Sequence, residues 1–240
     1  MASEKSTVII PTYHHAEYLR SSILSVLNSN VPVRLIVVPV CEDVKTMNLL
    51  QHLFDLLNGF DRKIAVIPSD KADVFQQMQL GIDNVETEYF SVLGSDDYMM
   101  PTAVQSMLSH ADGADNPIIG LSPAITDENL VIQSIRPLKP FIMAKQLKRS
   151  YIPDASLVST KLARLVGGLY GDKDWGYLNH YAFFHRLLKL GNADVKLLPE
   201  VGWLYRQLKD ARHITRYKTR RDIRIHRKKM EEVAQHYWRR

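Results

Sequence analysis

Cysteine occurs once in the 240 residues, at Cys41, and a single thiol excludes an intrachain disulfide and any Cys-rich zinc site. A reducing compartment, the cytoplasm, is the expected location. Cys41 itself is read as a small buried residue rather than a nucleophile. Long hydrophobic runs are missing too: no stretch approaches the roughly 20 apolar residues that a membrane-spanning helix needs. Met1 to Thr7 is polar with mixed charge, so no apolar signal segment is read there. There is no internal repeat and no low-complexity tract. The 45% apolar and 24% charged content is ordinary for a globular chain, and the length suffices to bury a sizeable core.

Charge is present but unevenly placed. From Arg206 to Arg240 there are 13 Lys and Arg against 4 Asp and Glu, while the remainder carries 18 basic and 22 acidic residues. A basic tail of one or two exposed helices suits a phosphate-bearing partner, foremost an anionic membrane surface. Nucleic acid ranks last, because the tail lacks interleaved aromatics or a known motif.

The body of the chain alternates between two hydrophobic periods. Thr7 to Pro11, Arg34 to Val40, Lys63 to Ile67 and Tyr89 to Leu93 are short apolar runs of strand type. Between them, Ala16 to Asn28, Thr46 to Asn58 and Val74 to Val85 place apolar residues at helical spacing. That order predicts an α/β fold with a mostly parallel, doubly wound sheet, in which ligands bind beyond the carboxyl ends of the strands. Pro101 to Ala111 and Leu157 to Val166 read as helices, Pro117 to Leu121 and Val131 to Ile135 as strands, and His180 to Lys189 as a helix after a Gly-, Asp- and aromatic-rich loop.

The fourth strand delivers Gly94-Ser95-Asp96-Asp97 to its tip. Two adjacent carboxylates repel, so they are comfortable only in water, beside a cation, or with one acid protonated. An acidic turn between a strand and a helix is the plain alternative. His14 and His15 do not make a metal pair, since adjacent side chains on a loop seldom chelate one ion.

Four pieces in this order resemble glycosyltransferase family 2, of GT-A fold: Val8-Ile9-Ile10-Pro11-Thr12-Tyr13, Val74 through Ile82, Gly94-Ser95-Asp96-Asp97, and Ser156 through Gly167-Gly168-Leu169 followed by the helix carrying Arg186. The resemblance implies a GT-A domain over residues 1–206, with a nucleotide-sugar half at about 6–111 and an acceptor half at 112–206, followed by the basic tail at 207–240. It implies an inverting transferase moving sugar from a nucleotide sugar, a UDP-sugar, to a saccharide or lipid-linked acceptor in bacterial surface polysaccharide assembly, with the tail at the inner membrane. Mn²⁺ or Mg²⁺ would be held by Asp97, with Asp96 assisting or contacting the ribose. Thr12 and Tyr13 would hold the base, with Pro11, Ser95, Gln76 and Arg206 on the nucleotide sugar.

Three departures from the family pattern bear on function. Pro39 and Val40 stand where an acidic pair usually reads the base, so Glu42 or Asp43 is the substitute. Gln76 and Gln79 replace an acid and an Asn, which keeps hydrogen bonding and loses charge. His180 stands where an Asp or Glu usually activates the acceptor. Histidine is a competent base near neutral pH, with Asp174 and Asp172 in the preceding loop as rivals and Asp154 as a further acceptor-side residue. A catalytically weak domain that binds a nucleotide sugar or a partner is the second reading.

Overall fold

A computed structural model describes residues 4–56, 64–171, 173–208 and 220–238. The chain runs β1 (Ser6–Thr12), α1 (Ala16–Leu27), β2 (Arg34–Pro39), α2 (Val44–Leu56), β3 (Ile64–Val66), α3 (Val74–Asp83) and β4 (Tyr89–Val92). Strands β3, β2, β1 and β4 pair side by side, all parallel. All seven residues of β1 are buried, as expected for a central strand covered on both faces. On one face, Leu19, Ile23 and Val26 of α1 join Val8 and Ile10. On the other, Ile9, Ile36 and Val38 meet Ile82 of α3. Gly81 lets α3 lie directly on Ile9, since a side chain there would collide with it.

The second half continues the same sheet: β5 (Tyr98–Met99), α4 (Ala103–Ala111), β6 (Pro117–Thr126), β7 (Ile132–Ile135), α5 (Met143–Gln146), β8 (Leu157–Ser159), α6 (Thr160–Leu165), α7 (Asn179–Lys189) and β9 (Asp194–Arg206). The full order is β3-β2-β1-β4-β8-β6-β9-β5, with β7 on β6. Here β8 is antiparallel to both β4 and β6, and β9 is parallel to β6 but antiparallel to β5. The first half is therefore parallel throughout, while the second combines the parallel β6–β9 pair with antiparallel ones.

Several expectations need correction. Leu157 to Val166 is not one helix: its first three residues pair between β4 and β6, and Ser159 Oγ then caps α6 by accepting the Leu162 N–H at 3.3 Å. Leu157-Val158 is too short an apolar run to fix a period, and here the edges of β4 and β6 decided. The 13-residue β9 has no counterpart in the sequence reading, because Pro199 and Gly202 interrupt its pattern. Cys41 is exposed rather than buried. Of the tail, residues 209–219 and 239–240 lie outside the described residues. Its described helix, α8 (Arg220–Trp238), is not exposed all round: Met230, Val233 and Tyr237 are buried with Leu178, Tyr181 and Ala182 of α7 and the turn before it. Among the described residues no helix is long and apolar enough to cross a membrane.

Arg186 of α7 is one of the largest fully buried side chains, and it ties this half together. It donates to the carbonyls of Val166 (3.2 Å), Gly168 and Leu169 (2.7 Å) and to the Tyr237 hydroxyl of α8 (3.1 Å). Gly168 and Gly171 adopt positive φ of 63° and 53°, and a side chain at Gly171 would strike the Arg186 guanidinium. The glycine-rich loop before α7 is thus wrapped around a buried cation.

Candidate active site

Beyond the ends of β1 and β4 lies a cavity of about 250 Å³ whose wall includes Pro11, His15, Gly94, Ser95, Asp96, Asp97, Asp154, Trp203 and Tyr205. The turn carrying the two acids is built by its neighbours. Asp97 N–H donates to Gly94 O at 3.0 Å, closing the turn. Ser22 of α1 places its hydroxyl between the carbonyls of Asp97 and Ser95 (2.9 Å to the latter), and Ser25 Oγ accepts the Met99 N–H at 3.0 Å. His15 Nδ1 is 2.9 Å from Ser95 Oγ. Small polar residues three apart on α1 therefore pin the turn from behind.

Arg206, at the end of β9, is buried and braces the same turn. Its N–H donates to Asp97 Oδ1 (2.9 Å), and its guanidinium donates to Asp96 O (2.6 Å), Glu128 O (2.7 Å) and Ser21 Oγ (3.1 Å), stacked 4.6 Å over the Tyr18 ring.

Burial, then the charge of Asp96, pushes the Asp97 carboxyl well above its ordinary value, against the pull of the Arg206 N–H and guanidinium. The Tyr205 phenol is pushed up to about 12, by burial first and then by Asp97, Asp96 and Asp154. Gly94 leaves room between the acids: a side-chain carbon there would lie 2.8 Å from Asp97 Oδ2 and 3.1 Å from Asp96 Oδ1. Among the described residues no group of three or more His, Cys, Asp or Glu side chains could hold a metal ion by itself. A hard divalent cation that takes one or two carboxylates from protein and the rest from phosphate and water fits this donor set, and it would relieve the penalty on Asp97.

The base-side candidates are brought together only in part. Thr12 is buried; its carbonyl accepts Gln77 Nε2 (2.9 Å), and its hydroxyl has no partner among the described residues. Tyr13 is half-buried and donates to Glu42 Oε1 at 3.1 Å. Val40 is buried and bridges to Ser69. Asp43 is also buried, its carboxylate held low by Thr46 and the His14 N–H despite its burial, so it locks the loop after β2. Gln76 is half-buried on α3, between Val74 and Met78, which both line the cavity.

His180 sits in the first turn of α7, its ring parallel to Phe75 at 6.1 Å between centroids and its Nε2 3.5 Å from Asp154 Oδ1. It shares with Asp154, Met78 and Val92 the wall of a small chamber, and these three also line the cavity of the paired acids. Asp174 is exposed and accepts from Gly176 N–H and Asn179 Nδ2, both at 2.8 Å. Those bonds hold its carboxyl below its ordinary value, which makes it a weaker proton acceptor and the organiser of the turn into α7. Asp172 lies outside the described residues.

Trp203 and Tyr205 of β9, edge to face at 5.6 Å between centroids, line the cavity and were missed with their strand. Ser22, Ser25 and Gln77 were missed as well; the only signal was small or amide side chains on the inward faces of α1 and α3.

A parallel α/β half that carries paired carboxylates at the tip of its fourth strand, continued into a mixed half that completes the wall of a cavity, defines a GT-A fold. The chain belongs to glycosyl transferase family 2, whose profile matches residues 7–160. Its fold is similar to crystal structures of S. aureus TarS 1-349. The complex with UDP-GlcNAc superposes with a TM-score of 0.70 at 13% identity, covering 89% of this chain and 61% of that one. The complex with UDP gives 0.67 at 14% identity, covering 85% and 60%. The chain thus spans about three fifths of those structures. A search of curated proteins returned no match.

Proposed function

We propose that this chain transfers a sugar from a nucleoside diphosphate sugar, a UDP-sugar, to an acceptor hydroxyl, using Mn²⁺ or Mg²⁺ at Asp97 with Asp96 beside it. The observation that carries this reading is the shared lining: Asp154 belongs both to the wall with Asp96 and Asp97 and to the wall with His180. When bound, the cation supplies positive charge to the departing diphosphate. Tyr13 and Glu42 take the base, in place of the acid absent at Val40. Arg206 holds the acid turn rigid, and Trp203 and Tyr205 close the cavity against water. His180 accepts the acceptor's proton, and Asp154 steadies the imidazolium that results. The acceptor oxygen bonds to the anomeric carbon as the bond to diphosphate breaks, with inversion, and the nucleoside diphosphate leaves with the electron pair.

The TarS complexes with UDP and UDP-GlcNAc support the choice of donor. Release of UDP from UDP-GlcNAc in Mn²⁺ tests it: turnover in the wild type and none in Asp97→Ala is expected. Binding of UDP without turnover of any common UDP-sugar would instead support a binding module, the reading that buried Val40 favours.

The acceptor is a saccharide or lipid-linked saccharide of surface polysaccharide assembly, and α8 brings the chain to an anionic membrane. Its inner face packs on α7, so exposed residues such as Ile223, Arg224, Ile225 and Lys228 meet the lipid. Flotation with anionic but not with neutral vesicles is expected; equal flotation in both sinks the membrane role.

A further inference from the structure

A second cavity, of about 370 Å³, lies between the segment after α5, the start of α7 and α8. Lys148, Arg149, His226 and Arg227 line it, no acidic side chain among the described residues does, and His180 is part of its wall. Among the described residues no carboxylate forms an ion pair with Lys148, Arg149 or Arg227. Protein surfaces ordinarily intersperse the two signs of charge, because uncompensated like charges repel. Three cations around one concavity create a potential that an anion relieves. The His226 imidazole on the same wall is held below its ordinary value by burial, then by His180 and Lys229.

The opposite wall of His180 is acidic. There Asp154 stands 3.5 Å from its Nε2, and the acids beyond serve a cation that would neutralise the donor's diphosphate. The basic cavity is therefore not needed for the donor. A flat lipid surface fits a convex basic face; a concavity between three elements fits one discrete group. We propose that this cavity binds a phosphate ester on the acceptor, so that the acceptor class is a phosphorylated saccharide or phosphodiester chain. The assignment to the acceptor rests on the reading of His180 as the acceptor-side base. Arg149 and Arg227 supply planar, multi-donor contacts to phosphate oxygens, and Lys148 a point charge.

Glucose 6-phosphate, with glucose as its neutral counterpart, is the probe, titrated into the whole chain and followed by ligand-detected NMR. Two variants remove the same charge: Arg149→Gln/Arg227→Gln in the cavity, and Arg224→Gln/Lys228→Gln on exposed positions of α8 that do not line it. The wild type and the α8 pair are expected to bind glucose 6-phosphate about tenfold more tightly than glucose, and the cavity pair to lose that preference. Equal weakening in both pairs would mean bulk charge alone and would overturn the proposal. So would an unchanged preference in the cavity pair, or a cavity pair whose only loss is in binding to anionic vesicles. UDP titrated into the same proteins reads the nucleotide site separately and is expected to bind all three within about twofold, since no cavity residue lines the acid site. If UDP binds none of them, the transferase reading fails while the phosphate preference still decides the cavity.

Discussion

Asp97→Asn is expected to lower turnover by about 10³-fold or more, the scale of losing a principal stabiliser of leaving-group charge. The same change is expected to raise the melting temperature of the metal-free protein. In the wild type, burial and Asp96 lift the folded carboxyl above its unfolded value near 3.8. The folded state then binds the proton more tightly than the unfolded one, so ionised Asp97 costs stability fully above the raised folded value. That cost shrinks as pH falls through the window and vanishes below the unfolded value. The gap in Tm between variant and wild type should therefore narrow from pH 7.5 toward acid.

Asn keeps the oxygen that accepts the Arg206 N–H, so the turn survives. A cation reverses the order. With UDP present, Mn²⁺ at about 100 times its dissociation constant adds ~2.7 kcal/mol to the wild type. For a chain of this size that is a rise of roughly 5 to 10 °C, and none is expected in Asp97→Asn. Thermal melts of both proteins across pH, with and without Mn²⁺, check all of this. A Mn²⁺ shift of equal size in the variant would remove Asp97 from the metal site.

His180→Ala is expected to cut transfer by about 10²- to 10⁴-fold, the usual contribution of a positioned general base, with KM for the nucleotide sugar nearly unchanged. The split follows from placement, since His180 does not itself line the acid cavity but shares a chamber with Asp154, Met78 and Val92, which do. Asp154→Asn should give a smaller loss in the same parameter. Asp174→Ala should act chiefly through stability, because its carboxylate anchors Gly176 and Asn179 at the start of α7. Steady-state kinetics of the three variants, with a melt for each, separate these roles. If Asp174→Ala abolished turnover in a fully folded protein while His180→Ala retained it, the base would move into the preceding loop.

The first half was legible because its physics is local. Val8-Ile9-Ile10 and Leu35-Ile36-Val37-Val38 are too uniformly apolar for anything but buried strands, and the helices between them repeat at 3.6 residues. Each expected boundary there among the described residues falls within a few residues of the observed one, while those at Asn58 and Lys63 lie outside them. Asp96 and Asp97 could be placed at a strand tip for the same reason. The second half was harder, since its strands borrow their definition from neighbours distant in sequence. Leu157–Ser159 is a strand only because β4 and β6 offer it two edges, and β9 holds its course past Pro199 and Gly202 by shifting register along β6.

Composition and periodicity by themselves determined that this is an α/β chain with two acids at a strand end and a basic tail; His180 came only from the family resemblance. The tertiary structure alone decided which of those charges meet. It buried Arg206 against the Asp96–Asp97 turn, spent Asp174 on a loop, set Asp154 between the acids and His180, and packed one face of α8 onto α7. Periodicity reports which face of an element turns inward. Only the pairing of β9 with β5 and β6, and of α7 with α8, sets the distances on which a shifted carboxyl and a shared cavity depend.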